Sequence, residues 1–243
     1  MKTKILCVIP VYNEELRLPS LINKVKKTKK KIKNINFLFI NNGSNDQSLY
    51  ILKKNKLHFI NLKKNGGVGY ALILGLKFAL KNNYSIVVHL AGNGKMLPSQ
   101  IPIFLNQIQN KKVDFVSGSR FLKNGNYKSN PLIRVFLIKI LSYFISILYN
   151  TKITDATCGF RAFKTKIFKK NIKLFDKSKF YTYGYEYYSI GMIIKSKKIK
   201  FLEVPVTMQY PKKGPYSKMT PILDWITIVS AWFLAILDKK SIK

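Results

Sequence analysis

The chain has 243 residues, of which 44 are Lys or Arg and only 10 are Asp or Glu, a formal net charge of +34. Hydrophobic residues make up 47% of it and include 16 Phe and 14 Tyr, enough to bury a core, so a disordered basic tail is excluded. The 2 Cys, Cys7 and Cys158, stand far apart with no CxxC spacing, which excludes a disulfide framework and a cysteine zinc site and fits small buried residues in a reducing compartment.

The N-terminal stretch MKTKILCVIPVYNEE has a charged start and a short apolar run. Asn13, Glu14 and Glu15 interrupt that run and no small-residue cleavage site follows, so it reads as a strand and not as a signal peptide. Strands are expected near 4–11, 36–41, 57–62, 85–90 and 113–117, and helices near 14–30, 46–55, 68–82 and 99–110. Such alternation implies βαβ units, hence an α/β fold with a mostly parallel sheet covered on both faces.

Two later stretches are more lipid-like, 132–149 (LIRVFLIKILSYFISILY) and 221–237 (PILDWITIVSAWFLAIL). Each is close to the lower limit for crossing a bilayer, about 17 residues, and each carries charge. On a helix, Arg134, Ser142, Ser146 and Lys139 fall within about 140° of arc and leave a wide apolar face, the pattern of a helix lying in a membrane interface. In the second stretch Trp225 and Trp232, followed by Lys239, Lys240 and Lys243, suit anchoring on an anionic leaflet. Packing as ordinary core helices is the alternative. The expected organisation is one domain over 1–219, including the interface helix 131–149, and a membrane-associating helix over 220–243.

The charge has two readings. Lys, Asn and Ile crowd the whole sequence, as in KVKKTKKKIK at 24–33, which a codon bias toward A and T produces without selection for a basic surface. The functional alternatives are nucleic acid, an anionic membrane or a polyanionic substrate.

Ligands of open parallel sheets bind outside the carboxyl ends of the strands. There the first strand runs into Pro10-Val11-Tyr12-Asn13-Glu14-Glu15, the second into Asn41-Asn42-Gly43-Ser44-Asn45-Asp46 and the fourth into Ala91-Gly92-Asn93-Gly94-Lys95. Between them, Asn65-Gly66-Gly67-Val68-Gly69 opens a helix whose N–H groups are candidates for phosphate oxygens, although the glycines also suit a plain turn. It is neither a dinucleotide GxGxxG nor a P-loop.

At this point the chain resembles the family 2 glycosyltransferases of the GT-A fold, most closely the dolichyl- or polyprenyl-phosphate sugar transferase branch. VIPVYNEE is similar to the family's opening motif and NNGSND stands where the family has DDGSxD. NGGVGYALILG, TDATCGFRAF at 154–163, and FLEVPVTMQYP followed by YSKM match later motifs in order. The resemblance spans about residues 3–219. It implies a donor pocket with Pro10, Tyr12, Glu14, Asn41 and Gly67, and an acceptor-side motif with Asp155 and Arg161; a buried ion pair between those two is the structural alternative. It also implies an acidic residue near the acceptor, here Glu186.

The family's DxD metal motif falls at 91–93, where this chain has Ala91-Gly92-Asn93. None of the 10 acidic residues stands at that strand end, so a Mg²⁺ or Mn²⁺ cofactor is doubtful and Asn93 is at most a weak ligand. Ala91 and Asn93 are still expected to border the donor. Lys95, and Lys212, Lys213 and Lys218 on a loop resembling the family's SKM segment, are candidates to supply charge to the leaving diphosphate.

The resemblance thus implies an inverting enzyme that moves a hexose from a nucleotide diphosphate sugar to a polyprenyl phosphate or lipid-linked glycan, in cell-surface polysaccharide or glycolipid synthesis. It would sit on the cytoplasmic face of the cell membrane, peripheral or monotopic, with the anionic membrane surface as partner and no nucleic acid expected. Two alternatives remain: a non-catalytic nucleotide-sugar-binding homologue, and a basic RNA-binding protein resting on charge and aromatic content alone.

Overall fold

β1 (Ile5–Val11) carries apolar side chains toward both faces and nearly all are buried, as in a central parallel strand. With β2 (Ile35–Asn42), β3 (Phe59–Leu62), β4 (Ile86–His89), β5 (Phe115–Ser119), β6 (Arg161–Lys164) and β7 (Phe201–Pro205) it forms a 7-stranded sheet in the order β3-β2-β1-β4-β6-β5-β7. Every pairing is parallel except those of β6, which runs antiparallel between β4 and β5. The computed structural model describes residues 3–127, 131–210, 221–240 and 242.

Alternate residues of β1 face opposite layers. Leu6 and Val8 join a core with α3 (Val68–Lys81), α8 (Gly184–Ser196) and α9 (Pro221–Leu237), through Leu72, Leu76, Ile190, Ile193 and Trp232. Ile5, Cys7 and Ile9 join a second core with α1 (Leu18–Lys31) and α4 (Ile101–Gln109), through Leu21, Val25, Phe104 and Ile108. α2 (Ser48–Lys54) adds Leu52 to that second core. α5 (Leu132–Tyr149) and the single turns α6 (Lys166–Lys169) and α7 (Ile172–Phe175) complete the α-helices among the described residues.

The mostly parallel, doubly covered sheet is the one anticipated from the alternation of elements. Its bounds shift by a residue or two: β3 begins at Phe59 and β5 at Phe115. β6 and α8 were not anticipated from periodicity. β6 is four residues long with a charged residue at each end, RAFK, and α8 is buried along almost its whole length, so it has no polar stripe to reveal a helical period.

α5 turns its hydroxyls inward. Val135, Ile138, Ser142, Ile145 and Tyr149 form its buried face. The Ser142 hydroxyl accepts the Ala156 N–H at 3.0 Å and the Ser146 hydroxyl accepts the Ile153 N–H at 3.0 Å, so the serines of the polar arc are taken up by the domain while Lys139 stays exposed. Ile133, Phe136, Tyr143, Phe144 and Ile147 face outward, each between 57% and 67% exposed.

α9 corrects one expectation. Trp232 is 0% exposed, with its ring edge-on to Tyr149 at 5.5 Å and its indole N–H donating to the Ala156 carbonyl at 3.3 Å. The Tyr149 hydroxyl donates to the Trp232 carbonyl at 2.6 Å, and Lys195 of α8 donates to the Ile236 carbonyl at 2.8 Å near the end of α9. Trp232 is therefore a core residue and not a membrane anchor; the helical wheel groups residues on a face without saying which side is outside. Trp225 is half-buried. Outward apolar positions on α9 are Leu223, Ile226, Phe233 and Leu237.

Trp232→Ala is expected to cost about 3–5 kcal/mol of stability in urea denaturation, whereas Phe144→Ser on the outer face of α5 should stay within about 0.5 kcal/mol.

Candidate active site

A cleft of about 430 Å³ opens at the carboxyl ends of β1, β2, β4 and β5, where an open parallel sheet binds its ligands. Its first wall is a turn locked by short polar side chains. The Ser48 hydroxyl accepts the Glu14 N–H at 2.8 Å, Asp46 accepts the N–H groups of Glu15 and Ser48 at 3.0 and 2.9 Å, and the Asn13 side chain accepts the Asn45 N–H at 2.8 Å. The NNGSND segment thus stitches the β2 turn to the β1 turn. Pro10, Tyr12 and Glu14 border the cleft as anticipated, and Glu14 pairs with Arg17 at 3.2 Å.

Asn41 does not border the cleft. Successive strand residues point to opposite faces, so Asn41 turns away and donates to Asn61 at 2.7 Å, while Asn42 borders the cleft. Asn42 accepts the Gly66 N–H at 3.0 Å and donates to Asn65 at 2.9 Å.

The glycine turn also departs from expectation. Gly67 borders the cleft, but its N–H donates to the Asn65 side chain at 2.8 Å, and the N–H groups of Gly69 and Tyr70 donate to the Thr182 and Tyr181 carbonyls at 2.8 and 3.0 Å. These N–H groups are already satisfied and do not serve a phosphate. The glycines are needed for close approach: a Cβ on Gly67, at φ +90°, would meet the Tyr181 carbonyl oxygen at 2.2 Å, and one on Gly69 would meet that of Phe180 at 2.3 Å.

Opposite lies a buried ion pair that joins different partners from those considered. Arg120, at the end of β5, is 3% exposed and Asp155 2%. The Arg120 Nε and Nη2 each donate to an Asp155 oxygen at 2.7 Å, Nη2 also donates to Thr157 at 2.7 Å, and Nη1 donates to the Tyr210 hydroxyl at 2.8 Å. Four of the five guanidinium donors are used, which leaves one N–H for the cleft that Arg120 borders. Burial works against the Arg120 charge, yet the Asp155 carboxylate outweighs it and holds the guanidinium well above its usual pKa. Asp155 does not border the cleft. It is itself fixed from β7, where Glu203 accepts the N–H groups of Thr154 and Asp155 at 2.7 and 3.1 Å.

Arg161, at the start of β6, lies beneath the cleft. It donates to the carbonyls of Cys158, at 3.1 Å, and Glu186, and so ties the sheet to the first turn of α8. Glu186 borders the cleft, with its carboxylate facing Gly159, where a Cβ would stand 2.7 Å from Oε1. Burial raises the Glu186 pKa, and Arg161 offsets that only in part. His89, at the end of β4, also borders the cleft; burial and then Arg161 lower it to about 3, so it is neutral.

Ala91, Asn93 and Lys95 line the cleft, whereas Lys218, with Lys212 and Lys213, lies outside the described residues. Sequence reasoning missed Arg17, Arg120 and His89 as cleft residues and assigned Arg134 to a membrane-facing helix, although it borders the cleft from the first turn of α5. Arg17, Lys95, Arg120 and Arg134 face Glu14, Glu186 and Asp224 across this space. The crowding is visible in Lys95, lowered to about 8 by burial first and then by Arg134 and Arg17. Among the described residues no three His, Cys, Asp or Glu side chains converge as a metal site would require.

The family model for "Glycosyl transferase family 2" matches residues 6–172. A polyprenol monophosphomannose synthase of Mycolicibacterium smegmatis is 26% identical over 223 residues, covering 88% of this chain and 80% of that protein. An undecaprenyl-phosphate mannosyltransferase of Micrococcus luteus is 24% identical over 241 residues, covering 96% and 95%. Glucosyl-3-phosphoglycerate synthase of Mycobacterium tuberculosis, solved with Mn²⁺, UDP and phosphoglyceric acid, aligns with a TM-score of 0.69 at 13% identity over 99% of this chain and 81% of its own, a likeness of fold.

Asp155→Ala strands a buried guanidinium and is expected to cost about 3–5 kcal/mol in denaturant unfolding. Because the Glu186 carboxyl titrates above its ordinary value of 4.5 when folded, its ionisation opposes folding as pH rises through that value. Glu186→Gln should therefore raise Tm at neutral pH and lose that advantage below about pH 4 in thermal melts across pH.

Proposed function

The chain belongs to glycosyl transferase family 2, and from that premise we propose that it moves a hexose from a nucleotide diphosphate sugar to a polyprenyl phosphate at a membrane surface. The observation that carries this reading is α5: its outward face is apolar, and its first turn sends Arg134 into the cleft that Tyr12 and Glu14 border from the other side. A lipid whose tail lies against α5 thereby brings its phosphate to the same space as the donor.

The proposed roles follow from position. Pro10 and Tyr12 offer an apolar edge and a ring to the base, and Glu14 a carboxylate to the ribose. Asn42 takes the place first assigned to Asn41. Arg120 offers its remaining N–H to an anion, and Asp155 and Arg161 act as positioning residues beneath it. An acceptor phosphate is ionised at neutral pH and needs no general base. With a lipid-linked glycan as acceptor, Glu186 is the carboxylate at hand for the hydroxyl proton, since Asp155 is engaged by Arg120.

α5 has the length and hydropathy to cross a bilayer, yet only 28% of it is buried and that strip is fastened to the domain through Ser142 and Ser146. We therefore read it as lying in the interface, peripheral or monotopic on the cytoplasmic face, with the exposed Lys239 and Lys240 beside anionic headgroups.

The test combines a screen of UDP- and GDP-hexoses with anionic vesicles carrying a polyprenyl phosphate. One donor should raise the unfolding free energy, by about 2.7 kcal/mol at 100 times its Kd, and give a labelled glycolipid. Tyr12→Ala should weaken that donor without loss of fold, and Phe136→Ser with Phe144→Ser should abolish vesicle co-sedimentation at unchanged Tm. Donor binding without transfer would support a non-catalytic homologue, and salt-dependent binding of arbitrary RNA with no nucleotide-sugar affinity would overturn the proposal.

A further inference from the structure

The fold neighbour solved with UDP also holds Mn²⁺. The residues of this cleft do not fit such an ion. At the end of β4 the lining residues are Ala91, which has no side-chain donor, Gly92 and Asn93. The Asn93 amide oxygen is turned onto its own loop, where it accepts the Lys95 N–H at 3.2 Å. The cleft carboxylates, Glu14, Glu186 and Asp224, stand on three separate elements, and Glu14 is held by Arg17. A small hard dication wants several oxygen ligands close together, with carboxylates among them to offset its dehydration.

We propose that the Lys95 ammonium takes the place of the divalent cation, so that a nucleotide diphosphate is bound and released as a leaving group without metal. This rests on reading the cleft as a nucleotide diphosphate sugar site. Lys95 lies two residues past Asn93 on the strand end that holds Ala91. It borders the cleft, and its segment is pinned on both sides: the Gln209 N–H donates to the Lys95 carbonyl at 2.8 Å, and Met96 pairs with Met208 in an isolated bridge. Its Nζ stands 5.1 Å from the centre of the Tyr210 ring, whose hydroxyl also receives Arg120.

Charge placement agrees with this. Arg17, Arg120 and Arg134 line the same cleft as Lys95, interspersed with Glu14, Glu186 and Asp224, so a diphosphate meets side-chain positive charge from several sides without a dication. In the transfer, the bond between the anomeric carbon and the β-phosphate oxygen breaks and its electron pair stays on that oxygen. A lone pair of the acceptor oxygen forms the new bond to the same carbon. Lys95 keeps its proton throughout and contributes fixed positive charge to the departing diphosphate.

The test is calorimetric binding of UDP, GDP and inorganic pyrophosphate to the full chain in excess EDTA and again with Mn²⁺, together with turnover on the donor identified by the screen. UDP or GDP should bind equally well in both buffers, and activity should survive EDTA. Lys95→Ala should weaken diphosphate binding by about tenfold or more and lower kcat by roughly 10²-fold, with Lys95→Arg recovering much of both. Unchanged Tm separates this from misfolding, and Lys95→Gln serves if the alanine variant does not fold. Binding only with Mn²⁺, with Lys95→Ala like the parent chain, would overturn the proposal and leave the sugar-transfer reading standing. No binding of either nucleotide in either buffer would overturn both.

Discussion

Arg120 and Asp155 are two opposite charges with almost no access to water, and such a pair holds only while its geometry is met on every side. Asp155 is aligned by backbone hydrogen bonds and by Glu203 on β7; Arg120 leaves β5 and reaches Tyr210. One ion pair therefore fixes the register of two neighbouring strands, the turn before β6 and the chain beyond β7. The cleft inherits that rigidity, because the single donor Arg120 has left can point in only one direction. The antiparallel β6 fits the same frame, since Arg161 at its start is tied to α8 and Lys164 at its end pairs with Asp114 at 2.9 Å.

α5 reverses the usual arrangement of an amphipathic helix. In a water-soluble domain the hydroxyls would face solvent and the phenylalanines the core; here the serines satisfy N–H groups of the 153–156 turn and the phenylalanines face outward. The proposed function places those rings in lipid, where their burial is worth more than exposure to water, and on that reading Arg134 at the start of α5 stands where the lipid face meets the cleft.

Much of this was legible in the sequence where burial is one-sided in pattern or complete over a run. ILCVIPV and INFLFINN announce central strands, and the polar turns after them announce the cleft. The rest was hidden for identifiable reasons. Asn41 and Asn42 differ by one residue and therefore by a whole face. Trp232 sits on a helix whose apolar run does not say which side packs on the core, and Arg134 reaches the cleft because α5 sets its polar arc against the domain, which the helix pattern alone does not place beside the strand ends. RAFK is too short and too charged at its ends to read as a strand; what receives those ends, the Cys158 and Glu186 carbonyls for Arg161 and Asp114 for Lys164, is set by the fold and not by the local sequence. Arg120 carries no motif that composition could flag, and its importance depends on Asp155 and, through it, on Glu203 some eighty positions later.

The wall between Gly67–Gly69 and residues 180–182 is made on one side by glycines and on the other by main-chain carbonyls. Such a joint is read by the backbone alone. It has no tolerance for a side chain at 67 or 69, yet it is indifferent to which side chains occupy 180, 181 and 182 as far as the contact itself is concerned. Phe180 is held in the core against Tyr188 and Tyr181 packs on Tyr70, but Thr182 borders the cleft and can change its side chain while the depth of the cleft stays fixed, so a related chain could alter what it accepts there without rebuilding how it holds it.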